Sequence, residues 1–128
     1  MKLSSLALVA VLLAAAAGTI AAHHSFDAEY DSSKSLTMSG IVTKVDWINP
    51  HAYIYVNAEA QSGGVQTYAF ELGPPYALVR GGWKRDTVKI GDKIRVENAA
   101  PAKDGSNHAG ATRDTFLFLA GGQKMVMR

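Results

Sequence analysis

The stretch that most constrains this chain is Trp47-Ile48-Asn49-Pro50-His51-Ala52-Tyr53-Ile54-Tyr55-Val56. After Pro50 the residues alternate. Ala52, Ile54, Val56 and Ala58 take one face; His51, Tyr53, Tyr55, Asn57 and Glu59 take the other. A period of two belongs to a strand with one face against a core and one face outward. Proline cannot donate to a sheet ladder, so Asn49-Pro50 reads as a corner between strands. His51 then sits at a strand start, on the rim of an aromatic face.

The other segments repeat the pattern. Leu36 to Trp47 alternates but changes phase, with Leu36 and Met38 at even positions and Val45 and Trp47 at odd ones. Gly40 and Ile41-Val42 lie at the switch, where a one-residue slip predicts a β-bulge. Gln61-Ser62-Gly63-Gly64 predicts a hairpin turn. Val65 to Leu72 is a third strand, stopped by Gly73-Pro74-Pro75, and a proline there opens a short helix through Arg80. Trp83 is expected to cover one end of a barrel. Val88 to Glu97 is a turn plus a strand, with Val88, Ile90, Ile94 and Val96 on one face. Pro101 to Gly110 reads as a mobile polar loop, Ala111 to Leu119 as a fifth strand, and Lys124 to Met127 as a short final one. Three strands, a short helix and two further strands match a small all-β fold, a five-stranded OB-like Greek-key barrel.

Ahead of this domain, Met1-Lys2-Leu3 precedes an apolar run from Leu6 to Ala17 and a small-residue end at Gly18 to Ala22. This is the pattern of a secretory signal peptide, and the run is short for a membrane span. The expected layout is a signal peptide at 1–22, an extended arm at 23–35 pinned by Phe26 and Tyr30, and the barrel at 36–128. The mature protein is then periplasmic or secreted, with no membrane span. There is no cysteine, which excludes disulfides, thiolate zinc sites, thiol catalysis and a lipoprotein anchor. The mature chain has a formal charge near neutrality, with its bases interspersed among acids, and this is no nucleic-acid footprint.

Three segments together resemble a family of small exported bacterial proteins of unknown function. They are His23-His24-Ser25-Phe26, Trp47-Ile48-Asn49-Pro50-His51, and Gly82-Trp83-Lys84-Arg85-Asp86 leading into Gly91-Asp92. The Lys103-Asp104-Gly105-Ser106-Asn107 loop is similar to that family as well. The resemblance implies an exported single domain and a small β-barrel, and it implies no activity.

The sharpest chemical expectation concerns the mature amino terminus. Cleavage after Ala22 makes His23 the first residue, whose α-amine and ring Nδ1 chelate together. A third nitrogen from His24 or His51 completes a site suited to copper or another transition metal. Neighbouring side chains on an extended arm point apart, which favours His51. Asp27 and Glu29 are candidates to support the ligands. Cleavage after Ala21 instead places histidine third, where an amine and two amides bind Cu(II) or Ni(II) in a square plane. Histidines beside a cleavage site also bind metals adventitiously, and His108 is a weaker candidate still.

The alternative is a ligand-binding face of Tyr53 and Tyr55 with Trp47 at its corner, taking a small ligand or an exported protein partner without metal. An ordinary outer sheet face explains the tyrosines too, and Trp47 reads first as a core residue or rim plug. An enzyme is not expected: no nucleophile motif is present, and Asp46, Glu59 and Glu71 read as solvated strand residues.

Overall fold

The computed structural model describes residues 25–60 and 63–128. The expected signal peptide and His23 and His24 lie outside those residues. Seven strands are described: β1 (Leu36–Asp46), β2 (Tyr53–Glu59), β3 (Val65–Glu71), β4 (Lys93–Pro101), β5 (His108–Gly110), β6 (Phe116–Leu119) and β7 (Lys124–Val126). One short helix, α1 (Pro75–Arg80), lies between β3 and β4.

Strands β1, β2, β3, β5 and β4 follow one another around a barrel, and pairing of β4 with β1 closes it. β1 accomplishes the closure because it serves two neighbours. Leu36 to Ile41 pair with β4, and Ile41 to Asp46 pair with β2. Gly40 stands at the changeover. A methyl group there would lie 2.6 Å from Val56 Cγ1 and closer still to the Asn57 carbonyl oxygen. Only glycine lets the two backbones approach so closely. The expected phase slip exists at the end of the expected switch, between Val42 and Lys44, rather than at Gly40 itself. Thr43 is the extra residue, and its hydroxyl donates to the Tyr55 carbonyl at 3.3 Å.

The expected hairpin joins β2 to β3, with Tyr53 opposite Glu71 and Ile54 opposite Phe70. The bond between Asn49 and Pro50, at the corner entering β2, is cis. β3 then runs parallel to β5, the single parallel pairing among the described strands. Pro75 opens α1, where its missing N–H costs no helix bond. Trp83 is buried at the barrel end, and its indole Nε1 donates to the Val126 carbonyl at 2.6 Å.

Two expectations need correction. The predicted fifth strand is broken. β5 lies inside the segment expected to be a loop, and β6 resumes only at Phe116. The interruption is a local turn held by threonines. Thr112 N donates to Thr115 Oγ1 at 2.8 Å, Asp114 N donates to Thr112 Oγ1 at 3.2 Å, and Thr115 Oγ1 donates to the Asn98 carbonyl at 2.8 Å. Such side-chain bonds compete with a ladder for the backbone. β4, moreover, begins at Lys93, so Ile90 is exposed in a turn and does not share the face of Ile94 and Val96.

The core fills the barrel from both halves of the chain. Ile54, Phe70, Leu72, Val96 and Leu117 are buried together with Met125 and Met127. β7 pairs with β6, and beyond it Gly73 N donates to the Met127 carbonyl at 2.9 Å.

Candidate functional site

Residues 25–29 are helical, where an extended arm was expected. Tyr30 N donates to the Phe26 carbonyl at 2.8 Å, and the two rings lie 4.8 Å apart. The expected pinning is real: Tyr30 is buried, and both rings press on Gly110. A methyl group at Gly110 would fall 2.5 Å from Phe26 Cε2 and 2.7 Å from Tyr30 Cδ2. The backbone is tied down as well. Asp31 N donates to the Pro101 carbonyl and Lys103 N to the Glu29 carbonyl, each at 2.9 Å. Lys103 Nζ also donates to the Asp27 carbonyl. The segment expected to be a mobile loop is thus the seat of the arm.

The docked arm delivers Tyr30 to the end of β3. Its hydroxyl donates to Glu71 Oε2 at 2.7 Å. The other carboxylate oxygen, Oε1, lies 2.7 Å from His51 Nδ1. One carboxylate therefore joins the arm to the strand corner. The Glu71 side chain is 11% exposed, while the His51 side chain is 33% exposed. A carboxylate oxygen accepts, so Nδ1 is the donor of this pair. Nε2 is the ring nitrogen that Glu71 does not occupy.

Tyr53 faces Glu71 across the hairpin. Burial, and next the Glu71 carboxylate, push its phenol from 10.0 up to about 12. Burial pushes Tyr30 upward too, followed by its bond to Glu71 and the charges of Glu71 and Glu29. Both phenols thus hold their protons beside the carboxylate. A group with a raised folded pKa contributes stability that is whole below its unfolded value and lost as pH climbs through the folded one. The denaturation midpoint should therefore decline as pH rises from 10.0 toward about 12. Tyr53→Phe should decline less over that range, and an equally steep decline in the variant would contradict the assignment.

The other predicted residues separate into two groups. Tyr55 shares the outward face with Tyr53, but the Lys44 ammonium lies over its ring, 5.0 Å from the centroid, and pairs with Asp46 at 2.9 Å. Trp47 turns the other way and packs against the core, its ring 6.4 Å from that of Trp83. It covers the rim beside Trp83, and with Tyr53 it lines a small cleft. His108 is exposed on β5, and its carbonyl accepts from Ala102 N at 2.9 Å. Among the described residues no three His, Asp or Glu side chains are grouped to hold a metal ion. His23 and His24 lie outside those residues.

Glu71 is the residue that sequence reasoning missed. It looked like one more solvated strand acid. The expected turn could not reveal it: counting outward from Gln61 to Gly64 sets Glu71 opposite Ile54, whereas the strands close on Glu59 and Val65, which brings Glu71 opposite Tyr53, two residues from His51 on the same face.

A closed OB-like barrel with a carboxylate-anchored histidine at its rim defines a small β-barrel domain with a candidate binding site. A model of the DUF6152 family, described as a family of unknown function, matches residues 10–112, and the chain belongs to that family. Comparison with curated proteins and with solved structures gave no match. No helix among the described residues is long and apolar enough to cross a membrane.

Proposed function

We propose that this is an exported periplasmic binding protein that holds a transition metal, copper by preference, through His51 and the histidines of its mature amino terminus. The observation that carries the reading is the shared carboxylate of Glu71. A metal-ligating imidazole characteristically gives its second nitrogen to a carboxylate, which fixes the ring and raises its basicity. Here Glu71 Oε1 occupies that role toward His51 Nδ1 at 2.7 Å. The second oxygen of the same group holds Tyr30, five residues after Ser25. The described part of the arm therefore docks, through Tyr30, on the same carboxylate that holds His51. The surrounding acids and phenols favour a cation there.

The competing reading, a stacking face on β2, has less support. Lys44 lies over Tyr55 and Trp47 packs inward.

The test uses the mature protein, its amino terminus confirmed by intact mass. Titration with Cu(II), followed by calorimetry and electron paramagnetic resonance, should give one tight site. His51→Ala and a one-residue extension ahead of His23 should each weaken it by at least about tenfold. Binding indifferent to His51 would reject the shared site.

A further inference from the structure

At the opposite end of β1 the barrel wall is open. β1 parts from β2 at Ile41: its first residues pair with β4 alone, and Ala58 and Glu59 of β2 pair only with β3. Between the parted strands lies a groove of about 640 Å³. One wall comprises residues 36–39 in unbroken succession and the other residues 58–60. Successive strand residues point to opposite faces, so a wall made of every residue in turn is a strand edge. Its peptide groups face the gap without a neighbouring strand.

The rest of the groove says what fits. Leu36, Met38 and Tyr68 pack against the core while still lining it, and they supply an apolar floor. Gln66 Oε1 accepts from Asn107 Nδ2 at 3.3 Å, which directs the amide donors of Gln66 elsewhere. Glu59 is the only charged residue of the lining, and it has no ion pair among the described residues.

We propose that this groove receives an extended peptide segment of another protein, added as a strand between β1 and β2. Backbone hydrogen bonds to the two edges hold it. Alternate apolar side chains rest on Leu36, Met38 and Tyr68, and a lysine or arginine faces Glu59. The four residues of the β1 wall, at about 3.3 Å each, offer room for about four residues of guest. The groove lies toward the other end of β3 from Glu71, uses none of the proposed metal ligands, and is independent of the metal reading.

The test pans the mature protein against a phage-displayed library of random hexapeptides and measures the winners by calorimetry. Enriched peptides should alternate apolar residues and carry a lysine or arginine. Methylating the alternate backbone nitrogens that face a strand edge should weaken binding by about tenfold or more. Glu59→Lys, an exposed change that leaves the fold intact, should shift enrichment to acidic peptides. Absence of enrichment would overturn the proposal. So would peptides indifferent to both N-methylation and Glu59→Lys. Sedimentation showing that a second copy of this chain fills the groove, in a dimer broken by Glu59→Lys, would also overturn it.

Discussion

Gly40→Ala should be the most damaging single methyl group added to this protein, lowering its stability by about 3 kcal/mol. The new carbon would stand 2.6 Å from Val56 Cγ1 and against the Asn57 carbonyl oxygen. Backbone cannot swing aside as a flexible side chain does. Relief requires β1 to lift off β2 where it changes partners, and both pairings then suffer. Urea denaturation read by tryptophan fluorescence measures the loss, since Trp83 is buried at the barrel end. Gly121→Ala is the matched control. No atom lies within 4 Å of the added methyl, and its cost should stay within about 0.5 kcal/mol. Equal stability of the two variants would reject the close approach at Gly40.

Glu71→Ala should have two separable effects. It removes the acceptor of a buried tyrosine hydroxyl and the partner of His51 at once. A buried donor left without an acceptor costs about 1–3 kcal/mol, and a charged acceptor puts this case in the upper part of that range. Tyr30→Phe keeps the ring against Gly110 and discards the hydroxyl, so on that background Glu71→Ala should cost less. The second effect falls on the proposed metal. Losing the carboxylate behind a ligating imidazole lowers affinity by about 10–100-fold. Cu(II) titration of Glu71→Ala, with folding checked by circular dichroism, reads it directly. A destabilised variant with unchanged copper affinity would confine Glu71 to fastening the arm.

The barrel was legible because its strands carry their period openly. Ala52 to Ala58 alternate without a flaw, Pro74-Pro75 announces α1, and Gly63-Gly64 marks the turn between β2 and β3, though the register across it is one residue from what a turn at 61–64 implies. What escaped depended on contacts between distant segments. Gly40 looked like a bulge because a glycine at a phase change usually is one. Its true constraint, the Asn57 carbonyl, lies across the sheet. The broken strand after β5 escaped because threonines suit a strand as well as a turn, and only the Asn98 carbonyl decides for Thr115. His51 was singled out at a strand corner. Its partner was not, since an acid on an outward face looks solvated until the arm covers it.

The seam at Met127 bears on when the protein can fold at all. A chain that emerges amino end first presents β1 and β2 long before β4, and β7 later still. The barrel lacks its closing neighbour until β4 arrives, and the side of β3 beyond Glu71 stays open until Met127 meets Gly73. Two core methionines, Met125 and Met127, come in that same final stretch. Early fragments thus lack the neighbours that close the barrel, and the complete fold waits for nearly the whole chain. Deleting residues after Leu119 would leave a soft, protease-sensitive barrel with an open seam.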